Sequence, residues 1–196
     1  MTQEKEAQLI DGLMRRDEGC FSVCVEAYQG LVFNTAVGLV QNAEDAEDIS
    51  QEVFIEVYES IGSFKGQSKL STWIYRIAVT KALEHTRSRH AKKRFAFLTS
   101  LFGFGEDSAA AFDIPDFNHP GVLLENKQRA AVLFKAIEQL PDNQKTAFTL
   151  HKLEGLSHEE IGEIMGSSLS STESLMHRAK ANLKKSLKTY YYGTEI

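Results

Sequence analysis

Residues 155–180, GLSHEEIGEIMGSSLSSTESLMHRAK, read as two short helices joined by a tight turn. Ser157 and Glu160 have the spacing of a capping box, Gly166 stands where the first helix must stop, and Ser170 with Glu173 repeats the box at the next start. Two helices angled around a short turn are the shape that lays its second member in the major groove of DNA. Yet that second helix opens on Ser170, Ser171, Thr172, Glu173, Ser174 and Leu175, an acid among them and no lysine or arginine until Arg178.

Outward from this stretch the helical reading continues. Three prolines in 196 residues, a hydrophobic content of 42%, and Leu, Ala, Glu and Lys at helical spacing predict an all-α protein with real cores. Upstream, Leu123, Ala130, Leu133, Phe134 and Ile137 form one apolar face, and Pro141 sits near the first turn of a helix that stops at Gly155. The last helix turns Leu175, Met176, Ala179, Leu183 and Leu187 inward and extends to Tyr190.

Four helices account for the N-terminal half. Thr2 can cap the first, and the second runs from about Cys20 to Val40 with Phe21, Cys24, Tyr28, Leu31 and Val32 inward. Asn42 caps the third, in which Ala46, Ile49, Val53, Val57 and Ile61 recur every three to four residues. The loop GSFKGQSK follows, and Ser71 caps a fourth helix with Ile74, Ile77, Ala78 and Ala82 on its inner face and a basic C-terminal end, as the helix dipole favours. Between Phe95 and Gly121 the periodicity fails among phenylalanines, glycines, acids, Pro115 and Pro120. That composition reads as a linker; its phenylalanines suit either a short packed helix or a partner-binding segment. The expected organisation is a domain over 1–94, a linker over 95–121 and a second domain over 122–190.

The formal net charge of −5 hides an asymmetry. Residues 1–60 carry thirteen acidic side chains against Lys5, Arg15 and Arg16, whereas residues 81–94 carry Lys81, Arg87, Arg89, Lys92, Lys93 and Arg94 against Glu84 alone. Cys20 and Cys24, four residues apart, read as thiols on one helix face, not as a disulfide framework. The six histidines have no zinc spacing, so neither metal nor cofactor is expected. The start, MTQEKEAQLIDG, has no apolar leader, and no run of about 18 apolar residues is evident. Together these predict a cytoplasmic protein.

DAEDISQEVFIEVY followed by FKGQSKLSTWIYRIA, then LPDNQKTAFTLHKLEGLSHEEIGEIMG and HRAKANLKKSL, resembles the extracytoplasmic-function (ECF) class of bacterial RNA polymerase sigma factors over nearly the whole chain. The resemblance implies a promoter-recognition subunit, not an enzyme, with no small-molecule substrate. Its partners would be core RNA polymerase, promoter DNA and an anti-sigma factor. Glu44, Asp45, Asp48, Gln51 and Glu52 match positions that dock on core polymerase; by chemistry alone they equally suit a solvated acidic face. Phe64, Lys65, Lys69 and Trp73 match the loop that captures a flipped base of the minus-ten element, where an aromatic or cationic wall recovers about 1–3 kcal/mol per stacked base. The two rings suit a core equally well. Arg76, Lys81, Arg87 and Arg89 would follow the DNA backbone, and Thr80 stands where relatives often have Asn.

For the minus-thirty-five element the resemblance implies Ser170, Ser171, Glu173, Ser174, His177, Arg178 and Lys180. Relatives often carry Lys or Arg at 173 and 175; here Glu173 can close the capping box and accept from cytosine N4, while phosphate contacts shift to residues 177, 178 and 180. In the linker, Glu106, Asp107, Asp113 and Asp116 would imitate RNA in the polymerase cleft. Two rivals remain. A polymerase-independent helix-turn-helix regulator leaves the first half without a joint purpose, and a metal-dependent nucleic-acid enzyme lacks any nucleophile, base and metal constellation.

Overall fold

A computed structural model describes residues 2–101 and 132–192, with side chains described through residue 91 in the first segment and residue 188 in the second. Seven helices have defined bounds: α1 Gln3–Met14, α2 Glu18–Val40, α3 Ala43–Ser60, α4 Leu70–Leu101, α6 Asp142–Lys152, α7 His158–Met165 and α8 Leu169–Tyr192. A further helix, α5, covers 132–138, and a single 3-10 turn, Ile61–Ser63, follows α3. Among the described residues there is no strand.

The caps show how sequence chemistry fixes these boundaries. Asn42 Oδ1 accepts from the Asp45 N–H at 2.7 Å and starts α3, and Asp17 Oδ1 accepts from the Cys20 N–H at 2.7 Å and starts α2. Ser157 and Glu160 form the full capping box of α7, which Gly166 ends in the left-handed conformation at φ 62°. Three expected caps are not made. Thr2 occupies the N-cap position of α1 without a side-chain bond. Helix α4 begins at Leu70, so Ser71 lies inside its first turn, and the Leu70 N–H is taken by Glu6 Oε1 of α1 at 2.7 Å. Helix α8 begins at Leu169, and Ser168 Oγ accepts from the Ser171 N–H at 3.2 Å; the cap therefore lies two residues before Ser170, leaving Glu173 exposed on the helix.

Helices α2, α3 and α4 pack on one another, burying Val32, Ile49, Val53, Val57, Leu70, Ile74, Ala78 and Ala82 with α1 contributing Leu9 and Leu13. Each large apolar side chain so buried contributes about 1.5–3 kcal/mol. By length and composition α2 could cross a membrane, contrary to the expectation that no such stretch exists. Its Cys24, Tyr28, Val32, Ala36, Val37 and Leu39 instead make the central core contact. Cys20 and Cys24 are free thiols, and burial pushes Cys24 up to about 11, far from reactive.

Helix α4 runs seven residues beyond Arg94, so the helix continues into the segment expected to be linker. The rest of that segment, including Glu106, Asp107, Asp113 and Asp116, lies outside the described residues, as do Leu123 and Ala130. In the C-terminal half, Ala136, Ile137 and Leu140 pack on Ala179 and Leu183. The halves are not independent: Ala147, Leu150, Ile161, Ile164 and Met176 join the same apolar cluster as the N-terminal core.

Candidate nucleic-acid interface

The apolar stripe of α3 faces α2 and α4, which leaves Glu44, Asp48, Gln51 and Glu52 exposed. Asp45 behaves differently. It is half-buried, with Arg89 Nη1 2.9 Å from Oδ2 and His85 Nε2 3.7 Å from Oδ1. That pairing also engages Arg89, one of the residues expected along DNA. Lys81 is likewise 3.4 Å from Glu56 of α3, so both cations hold α4 to α3 in this arrangement.

The loop after the 3-10 turn keeps its backbone exposed through Lys65, Gly66 (φ 67°) and Gln67. Phe64 is only 7% exposed and lies 5.4 Å from the Trp73 ring at a tilt of 52°. The pair braces the loop from beneath, and Lys65 and Lys69 remain its exposed cations. Beside it opens a cleft of about 770 Å³ lined by α1, by Ala27 and Tyr28 of α2, and by Phe64, Gly66, Gln67, Ser68, Lys69 and Ser71. Thr80 donates back to the Arg76 carbonyl at 2.8 Å, which leaves a short hydroxyl on the exposed side of α4.

What the sequence did not reveal is that the C-terminal half covers this face. Arg76 Nε and Nη2 donate to the Glu163 carbonyl at 3.1 and 2.6 Å, capping the last turn of α7. Lys69 Nζ lies 3.5 Å from Glu160, and Arg87 Nε lies 3.5 Å from Asp142. Such exposed ion pairs contribute about 0–1 kcal/mol each. The stronger attachment is apolar and close: Thr149 donates to the Gly38 carbonyl at 3.4 Å, and a Cβ on Gly38 would lie 2.6 Å from Thr149 Cγ2 and 2.7 Å from Leu153 Cδ1. Gly38→Leu is accordingly expected to force α2 and α6 apart at a cost of about 1–3 kcal/mol to the closed form. Small-angle scattering should then show a larger radius of gyration without loss of helical circular dichroism.

Tyr75 OH donates to Glu154 Oε2 at 2.9 Å across the same contact. Burial raises the Glu154 carboxyl above its ordinary value, although Tyr75 and Asn34 pull it down. A raised folded value means that the closed form binds the proton more tightly than the separated halves do. The contact therefore weakens as pH rises from the ordinary carboxylate value through the raised one. Glu154→Gln keeps an acceptor for Tyr75 and removes the charge, so its melting temperature should exceed that of the parent at pH 7 and lose this dependence below pH 7.

On α8, Ser170, Ser171, Glu173, Ser174, His177, Arg178 and Lys180 are all exposed, while Thr172, Met176 and Ala179 face inward. Arg178 Nε donates to the Ser174 carbonyl at 3.2 Å, which lays its guanidinium along the helix. The turn between α7 and α8 depends on Gly162, where a Cβ would approach the Ser167 carbonyl oxygen to 2.9 Å. Gly162→Ala is expected to displace that backbone, cost about 1–3 kcal/mol and misalign α8; thermal unfolding and minus-thirty-five footprinting would read both effects.

This arrangement matches known proteins. The Sigma-70 region 2 model covers residues 24–92 and the Sigma-70 region 4 model residues 130–183. The RNA polymerase sigma-H factor of Pseudomonas aeruginosa is 31% identical over 191 residues, spanning 95% of this chain and 96% of the relative. The ECF RNA polymerase sigma-E factor of Escherichia coli K12 is 30% identical over 172 residues, 88% of each chain. Among solved structures, CnrH in complex with the cytosolic domain of CnrY shares the fold at a TM-score of 0.65, with 16% identity over 94% of this chain and 97% of that one. Sigma factor RpoE of Bartonella quintana, solved with the anti-sigma factor NepR, does so at 0.59, with 21% identity over 86% and 96%.

Proposed function

This chain belongs to the ECF class of RNA polymerase sigma factors, and from that premise we propose how its residues divide the work of starting transcription. The N-terminal domain, 1–94, docks on core polymerase through Glu44, Asp48, Gln51 and Glu52, with Asp45 reinforcing that helix through Arg89 and His85. Charge complementarity there orients the encounter. The same domain holds an unstacked minus-ten base in the cleft beside Lys65 and Lys69, while Arg76 and Arg87 follow the strand. The C-terminal domain, 122–190, reads the minus-thirty-five element with α8, joined to the first by the linker 95–121.

The observation that carries this reading is the exposed acidic face of α3 beside an exposed cationic loop and α4, all set on one core. One small domain can thus hold polymerase and DNA together. Because Lys69, Arg76 and Arg87 are engaged by the C-terminal half, the free protein is a poor DNA binder, and polymerase must separate the halves before a promoter is read. The role is non-catalytic and is exercised in the cytoplasm. An anti-sigma factor is a natural further partner, as in the two solved relatives. No observation favours a polymerase-independent regulator, whose reading surface would need to be open in the free protein.

Run-off transcription of fragmented genomic DNA by cognate core polymerase tests the reading. Discrete starts that appear only with the protein, and share two upstream sequence blocks, are expected. Equal starts without it would overturn the proposal.

A further inference from the structure

The minus-ten cleft has an acidic wall that its proposed role leaves unused. Glu6 of α1 lies in the cleft lining opposite Lys69 and is half-buried. Leu9 and Leu13 already anchor α1 in the core, so Glu6 is not needed merely to hold the helix there. One of its oxygens, Oε1, accepts the Leu70 N–H at 2.7 Å, which fixes the carboxylate at the start of α4. Its charge reaches across the cleft: Tyr28, another lining residue, is raised to about 12, by burial first and by Glu6 next.

A carboxylate accepts hydrogen bonds and donates none. It repels phosphate, so a nucleotide enters with its base toward Glu6 and its phosphates toward Lys69 and the exposed Lys65. With Oε1 committed to Leu70, Oε2 is placed to receive an amino hydrogen. Cytosine N4 and adenine N6 supply one beside a ring-nitrogen acceptor, whereas thymine and guanine present a carbonyl at the corresponding place and would be repelled. We propose that Glu6 is a specificity-determining residue of the minus-ten cleft, selecting an amino-bearing base, cytosine or adenine, over thymine or guanine. The inference rests on the cleft being the site of base capture.

The test is competitive transcription by the complete holoenzyme from a promoter library randomised through the minus-ten element, with the parent protein, Glu6→Gln, Glu6→Asp and Lys69→Ala. The parent should prefer cytosine or adenine at one position by about tenfold. Glu6→Gln keeps an acceptor for Leu70 but can present an amide N–H to the base, so the preference at that position alone should collapse or move toward thymine or guanine. Glu6→Asp should retain the sign of the preference at reduced size, showing that charge and not mere folding sets it. Unchanged base frequencies in Glu6→Gln, with opening impaired by Lys69→Ala, would overturn the role of Glu6 while leaving base capture standing. If Lys69→Ala also opens promoters normally, and a 2-aminopurine scan finds no unstacked minus-ten base, the cleft is not the capture site and both readings fall.

Discussion

Replacing Glu44, Asp48 and Glu52 together by lysine is expected to lower affinity for core polymerase by about 100- to 1000-fold. These carboxylates are exposed along α3 and none takes part in the Asp45 cluster that secures α3 to α4, so the fold should survive the change. Placing like charges across a complementary interface costs several kcal/mol, and about 3–4 kcal/mol corresponds to that range. The loss should reside largely in the association rate and should shrink as salt screens the surface. Competition for core polymerase against a second sigma factor, at two ionic strengths, measures it. Asp45→Asn offers a contrast: its effect should appear as a lower melting temperature, because it unpairs Arg89 and His85.

The second large effect has opposite signs in two states of the protein. Arg76→Ala combined with Lys69→Ala removes two cations from the proposed minus-ten path, and at about 1–3 kcal/mol each the holoenzyme should form open complexes about 100- to 1000-fold less well. The same pair of substitutions removes the guanidinium from the Glu163 carbonyl and the ammonium from Glu160. The free protein should therefore become looser even as the assembled enzyme becomes less active. Small-angle scattering on the free chain and permanganate reactivity of the promoter separate the two effects. A double variant that is compact and fully active would show that these side chains serve neither state.

Much of the architecture was legible because it rests on local chemistry. Asn42, Ser157 and Glu160 cap helices at the predicted residues, and the stripe Ala46, Ile49, Val53, Val57 and Ile61 is buried as its period requires. The misreadings lie where several residues offer equivalent local chemistry. In the serine-rich run before α8, Ser168 and Ser170 are equally able to cap, and the packing of Thr172, fully buried with its hydroxyl 2.9 Å from Ser167 Oγ, selects the earlier start. Ser71 was a plausible cap for α4, but a carboxylate 64 residues away does that work.

The contact between the halves was beyond reach for the same physical reason. Tyr75 and Glu154 are separated by 79 residues and Arg76 and Glu163 by 87, and nothing in local periodicity records a partner at that distance. Gly38 carries a faint signal, a glycine within an otherwise apolar helix where close approach of another backbone or side chain is one reason for its presence. Phe64 and Trp73 sat between two readings, core and base-stacking wall. Their mutual packing shows them bracing the loop, with Phe64 bordering the cleft.

The most direct test of the account places 2-aminopurine at each minus-ten position of a promoter found by run-off mapping and follows its fluorescence with core polymerase, with this protein alone and with both. Fluorescence should rise at one or a few positions only when both are present, because the free chain keeps Lys69, Arg76 and Arg87 covered and core polymerase lacks the cleft. A rise with the protein alone, or none with the two together at a promoter they transcribe, would contradict it.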